Sequence, residues 1–360
     1  MKKKLVPLLA GLVVAVTGAA WAQSKTVHVY NWTDYIGETT LADFTKATGI
    51  QTKYDVYTDL ETLEAKLLTG NSGYDVIVPT AQPTLRKFIQ AQAVQKLDKS
   101  KIPNLKNLDP VLMARLAEVD PGNEYAAIYQ WGTVGIGYNP DKVKAALGTA
   151  TIDSWKQVFD PESAKKLASC GIVVLDSPAD ILPSVLNYLG LPPSSEKSDD
   201  VKKAGELMSS IRPYIKTFVP SVIDPLASGD ACVAIGYSGD VLQAQARSGG
   251  KVRIDYAIPK EGAQLWFDTL AIPAGAPNVA EAYAYINYML DPKVMAGISN
   301  AVSYANAVPA SLPLLKPEIK DNPRIYPPKD VMDKLFTIKQ LAQRAEQERN
   351  RTWTRVKTGR

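Results

Sequence analysis

Short apolar runs alternate with amphipathic stretches along this chain. Residues 26–31 (Thr-Val-His-Val-Tyr-Asn) are rich in β-branched and aromatic side chains and read as a strand. Residues 39–48 read as a helix, with Gly49 placed to close it. A second strand is predicted at 51–57, a second helix at 60–68 stopping by Gly70, and a third strand at 74–79. Strand, helix, strand, helix, strand at this spacing predicts a mostly parallel sheet with right-handed crossovers. A second block of the same kind begins near Asp141. Its strands are predicted at 171–175, 214–219 and 232–237, and its helices at 178–189, 200–211 and 239–247. Residues 125–139 form an extended segment joining the blocks, and residues 265–273 form a second extended apolar run that crosses back. The class is therefore α/β, with two lobes, a hinge and a cleft between them. Ligands of open α/β sheets sit beyond the carboxyl ends of the strands, where residues 32–35 and 80–83 fall.

The ends change this picture. Lys2, Lys3 and Lys4 precede an apolar stretch at 5–16, and Ala20-Trp21-Ala22 supplies the small residues that a signal peptidase reads. Residues 1–22 are expected to be a cleaved signal peptide, leaving 338 of the 360 residues. The alternative is an uncleaved anchor, for which the apolar stretch is short. No later segment nears a spanning length, so the mature protein is expected to be exported, soluble and without stable membrane insertion. Removing three lysines from the 41 basic residues leaves 38 against 37 acids. That balance argues against a nucleic-acid or membrane-surface partner. Cys170 and Cys232 form an even pair in an oxidising compartment and read as a disulfide closing a loop of about 60 residues; the alternative is two buried thiols. From Leu341 the chain is polar and basic, and it reads as a solvated helix or a contact for an anionic partner.

The catalytic inventory is thin. His28 is the only histidine, and it lies inside a strand. No second histidine completes a nucleophile–base set. No cluster has zinc spacing and no loop resembles a calcium loop, so neither metal nor cofactor is expected. The glycines at 132, 135 and 137 lead into Tyr138-Asn139-Pro140 instead of a helix, which excludes a dinucleotide loop. A hydrolase using paired acids stays open.

Three runs set an aromatic ring beside an aspartate: Trp32-Thr33-Asp34-Tyr35, Tyr237-Ser238-Gly239-Asp240 and Trp266-Phe267-Asp268. An aromatic face holds an alkyl chain or a cation, and a carboxylate holds an ammonium group. Each run has a plainer reading. Trp32 suits a core and Asp34 a helix cap. Asp240 falls in a first helical turn, where a carboxylate is favoured anyway. Asp268 needs a partner inside its apolar strand, or else faces solvent on an edge.

These runs, in their fuller form at 32–35, 233–240 and 266–268, resemble the ligand motifs of periplasmic polyamine-binding proteins of the putrescine-binding type. The resemblance covers nearly the whole mature chain and includes residues 186–190, 303–307 and 325–328. It implies a type II periplasmic binding protein fold, with each lobe a mixed, mostly parallel sheet flanked by helices. The lobes would be 23–133 with about 268–302, and 134–267 with about 303–360. It further implies that Trp32, Tyr35, Tyr237, Trp266 and Tyr304 box the methylene chain. Asp240 and Asp268 would grip ammonium groups, and Thr33, Asp34, Thr80 and Asp180 would complete the polar ends. The implied partners are a polyamine and the membrane permease of an ABC transporter, served by a periplasmic monomer. Tyr237 stands where the putrescine type has Trp, Trp266 where it has Phe, and Asp180 where it has Glu. Thr80-Ala81-Gln82-Pro83 replaces a segment with serine and an aromatic residue. Other readings are a receptor for a different cationic amine and a chemosensory relay.

Overall fold

A computed structural model describes residues 25–359. The expected signal peptide at 1–22 lies outside the described residues. The strands are β1 (Thr26–Trp32), β2 (Gln51–Tyr57), β3 (Val76–Ile77), β4 (Ala126–Tyr138), β5 (Ile172–Leu175), β6 (Ile215–Val219), β7 (Val233–Tyr237), β8 (Asp255–Ala257), β9 (Leu265–Ala271) and β10 (Ala305–Asn306). They form one sheet in the order β2-β1-β3-β9-β4-β7-β5-β6, with β8 and β10 each paired to β4. The helices that bear on the site are α1 (Thr40–Thr48), α2 (Leu60–Leu68), α3 (Arg86–Gln90), α4 (Pro178–Tyr188), α5 (Ser198–Ile211), α6 (Ser238–Arg247) and α7 (Gln343–Thr358).

The sheet is mixed, and the directions are segregated. The four parallel ladders join β1 to β2 and β3, and β5 to β6 and β7. The five antiparallel ladders all involve β4 or β9. Those are the two extended runs that the sequence identifies as crossings. β4 is buried along all thirteen of its residues. Its first part, up to Thr133, pairs with β9, and its last part, from Val134, pairs with β7 and β8. One strand thus serves both halves of the sheet.

Local chemistry explains the boundaries. Gly49 takes φ 73° and its N–H bonds the Thr45 carbonyl, which closes α1. The Asp59 side chain accepts the Thr62 N–H and so starts α2. β3 is two residues long, shorter than the pattern predicts. Tyr74 leaves the sheet to stack on Tyr30 at 4.4 Å, and the Asp75 carboxylate is taken by the backbone N–H groups of His28 and Asn278.

Cys170 and Cys232 are bonded, with 5.4 Å between their Cα atoms. They tie the entrance of β5 to the entrance of β7. The C-terminal run is a helix, as expected, but α7 is not solvated all round. It buries Ala345, Arg349, Thr352, Trp353 and Val356, and it packs on α5 and α4. No helix among the described residues is long and apolar enough to cross a membrane.

Candidate functional site

The six strands that form parallel ladders all point their carboxyl ends at one cavity of about 1040 Å³, mouth included. Trp32 ends β1 and Thr33 to Tyr35 follow it, Tyr57 ends β2 and Thr58 follows it, and Thr80 follows β3. Asp180 lies on α4 after β5, Pro220 and Ser221 follow β6, and Tyr237 and Asp240 end β7 and open α6. Trp266 and Asp268 enter from β9, and Tyr304 from just before β10. All eleven cleft residues singled out from the sequence line this cavity. His28 does not.

Asp268 is 5% exposed. It lies on β9 between β3 and β4, so the edge-strand alternative is excluded. The Thr80 hydroxyl donates to its Oδ1 at 2.6 Å. Burial pushes this carboxyl up to about 7; the Thr80 and Tyr35 hydroxyls pull the other way, and Asp180 adds to the rise. The Tyr35 hydroxyl acts from nearby, since no hydrogen bond of normal geometry engages it.

Asp240 sits in the first turn of α6. The Tyr304 hydroxyl donates to its Oδ1 at 2.7 Å, and the Asp240 N–H donates back to that hydroxyl at 3.1 Å. Ser221 donates to Oδ2 at 3.4 Å. This ring approach needs Gly239, because a Cβ there would lie 2.3 Å from the Tyr304 ring. Burial raises the Asp240 carboxyl to about 6; Asp34 adds to the rise, while Tyr304, Ser221 and Arg247 oppose it.

Asp180 accepts three side-chain donors: Ser177 at 2.6 Å, Tyr237 at 2.8 Å and Gln264 at 2.8 Å. Burial raises its pKa, and these donors, with Arg349 behind them, hold the rise back.

Asp34 differs from the other three. Its side chain is 59% exposed, 3.8 Å from Arg247 at the mouth. It takes φ 54° and caps nothing; the residue before α1 is Thr39. Thr33 lines the cavity, but its hydroxyl is spent on the Tyr57 carbonyl at 3.3 Å.

The rings form two groups. Trp32 packs on Tyr57 at 4.6 Å. Tyr35, Tyr304, Trp266 and Tyr237 make a chain of edge-on contacts at 5.4, 5.2 and 5.7 Å. This chain runs past Asp268 and Asp240 and ends at Asp180. The lining holds four carboxylates and no lysine, arginine or histidine. No group of three or more His, Cys, Asp or Glu among the described residues is arranged for a metal ion. The arrangement suits an organic cation with charges at separate points and an apolar middle.

Sequence reasoning missed several contributors, among them Tyr57, Ser221, Gln264 and Ile338. Tyr57 could have been found, since it stands opposite Trp32 in the parallel register. Ser221 follows a strand end and was open to the same rule. Gln264 and Ile338 carry no local signal.

Residues 39–327 match the family model of bacterial extracellular solute-binding proteins. The chain belongs to this family. Among its solute-binding relatives, the putrescine-binding periplasmic protein SpuD of Pseudomonas aeruginosa is 50% identical, covering 99% of this chain and 98% of its own. The putrescine-binding periplasmic protein PotF of Escherichia coli is 48% identical over the same shares. The solved spermidine/putrescine ABC transporter substrate-binding protein PotD of Streptococcus pneumoniae superposes with a TM-score of 0.80 at 26% identity, covering 93% of this chain and 99% of its own. The two-lobed fold of this solute-binding family is the one the strand pattern predicts.

Proposed function

We propose that this solute-binding protein captures a polyamine, putrescine or spermidine, in the cleft and delivers it from the periplasm to the permease of an ABC transporter. It is a receptor and not an enzyme, in keeping with SpuD and PotF, both named as binding proteins. One observation carries the choice of ligand. The lining sets Asp180, Asp240 and Asp268 along a chain of aromatic rings, with no basic side chain among them. An alkane diamine has two charged ends and an apolar middle, so it matches carboxylates separated by rings. Each ring–cation contact contributes about 0.5–2 kcal/mol, more when water is excluded.

The halves of the sheet on either side of residue 133 are the two lobes in this reading, with β4 and β9 as the hinge segments. Both cleft walls come from one chain, so a monomer suffices. Like charges in the cleft repel, which favours an open form; a dication removes that penalty and shifts the population toward closure. The test is titration calorimetry with putrescine, cadaverine, spermidine and spermine. Heat and a thermal shift with at least one are expected. Neither signal with any of the four would overturn the proposal.

A further inference from the structure

We propose that Lys87 and Glu346 form an electrostatic clasp that holds the two cleft walls together around the bound cation without touching it. The inference rests on the polyamine reading above for its ligand.

The clasp begins with how α7 is mounted. The Trp353 indole N–H donates to Asp176 at 2.8 Å, and Lys357 pairs with the same carboxylate. The Trp353 ring meets Phe218 of β6 at 5.1 Å, and Arg212 donates to the Lys357 carbonyl at 3.1 Å. Asp176 follows β5 directly and stands four residues before Asp180. The C-terminal part of α7 is therefore fixed to the wall that carries Asp180.

The first turn of α7 reaches the opposite wall. Glu346 lies 3.0 Å from the Lys87 ammonium group on α3. That ammonium also pairs with Glu64 of α2 at 3.2 Å, and Glu64 accepts the Thr84 hydroxyl at 2.9 Å. α3 continues directly from the segment that brings Thr80, Gln82 and Pro83 to the cavity. Gln340 adds a second crossing contact, donating to Gln90 at 3.0 Å.

Behind the pair lies Arg349, buried, with Nη2 3.7 Å from Glu346 and Nε without a partner. Its charge reaches Asp180. Charges therefore alternate from Glu64 through Lys87, Glu346 and Arg349 to Asp180, one wall to the other. The Lys87 and Glu346 side chains are 24% and 25% exposed. That shelter reduces screening and sets this pair apart from surface ion pairs of little consequence.

Stopped-flow tryptophan fluorescence with putrescine tests the clasp on full-length Lys87→Met, Glu346→Gln and the double variant. Each single change is expected to speed ligand release about threefold to tenfold and to leave association nearly unchanged. The double variant should release no faster than either single one, and Lys87→Arg should restore slow release. Unchanged release in both single variants, or additive effects in the double, would overturn the clasp. So would a loss that tracks a lowered unliganded thermal midpoint. If the unaltered protein binds no polyamine, the functional reading fails instead. Small-angle scattering of the unliganded proteins at pH 5, where protonation of Asp240 and Asp268 relieves the repulsion that opens the cleft, then judges the clasp: a larger radius of gyration in both variants supports it, and identical radii overturn it.

Discussion

Thr80 and Asp268 are joined twice: their backbones bridge across the sheet, and the Thr80 hydroxyl donates to the Asp268 carboxylate at 2.6 Å. The bridge fixes a buried carboxylate at the centre of the cleft. One of its oxygens is held by a neutral donor, which leaves the other for an ammonium group. Asp268→Ala should weaken polyamine binding at least about thirtyfold, the lower end of the roughly 2–5 kcal/mol expected when one partner of a buried charge pair is truncated. Thr80→Val keeps the charge but removes its anchor, and a smaller loss of about threefold to tenfold is expected. Calorimetry on both variants checks the ranking. A Thr80→Val loss equal to that of Asp268→Ala would mean the threonine contacts the ligand itself.

Binding should depend on pH in a definite direction. Asp268 is raised to about 7 and Asp240 to about 6, from an ordinary value of 3.8. A carboxyl raised by folding contributes stability below its unfolded value, and that contribution is lost as pH climbs through the folded value. Above pH 7 both groups are buried anions and the unliganded cleft carries its full electrostatic penalty. A dication needs both groups ionised, so binding at pH 6 releases protons. Affinity should rise from pH 5 and level off near pH 8. Calorimetry at pH 6 in two buffers of different ionisation heat measures the protons released. No buffer dependence, together with a flat affinity profile, would refute the assignment.

Asp240 depends on an aromatic hydroxyl for its orientation. Tyr304→Phe removes the 2.7 Å donor and leaves the ring. Affinity should fall about threefold to tenfold, within the roughly 0.5–1.5 kcal/mol that one hydrogen bond contributes. Gly239→Ala should cost more. Its Cβ would meet the Tyr304 ring at 2.3 Å and push the ring away from both Asp240 and Trp266. Near-UV circular dichroism would register the displaced ring, and calorimetry the lost affinity. Wild-type binding in Gly239→Ala would show that Tyr304 is not part of the cation site.

Much of this was legible in the chain. β2 and α2 have the predicted bounds, because each is a run of one period ended by an abrupt change of residue type. Asp268 was visible because a charge inside an apolar strand demands a partner, and Thr80 supplies one. Direction was less legible. The antiparallel centre depends on β9 returning between β3 and β4, a long-range pairing that no local pattern encodes. The anchoring face of α7 was hidden by composition. Its arginines and glutamates dominate the run, while Ala345, Thr352, Trp353 and Val356 make only a narrow buried stripe. Gln264 was illegible for a related reason: its role is to donate to Asp180, 84 residues away.

The disulfide should matter for stability and not for binding. Cys170 and Cys232 are 62 residues apart, and the chain-entropy model gives about 4 kcal/mol for closing such a loop. Cys232 precedes β7, whose far end carries Tyr237 into the cleft. Tyr237 stands five residues along the chain from Cys232, roughly 17 Å at about 3.3 Å per residue. The bond therefore restrains the entrance of the strand while the cleft is built at its exit. The β7 backbone is also held on both sides, by β4 and by β5. A Cys170→Ala/Cys232→Ala variant should lose about 2–4 kcal/mol of unfolding free energy in urea. Its polyamine affinity at 25 °C should stay within about twofold of the parent, since what is lost is a restraint on the unfolded chain. A tenfold loss of affinity in protein that is still fully folded would show that the change at Cys232 reaches Tyr237 and Asp240.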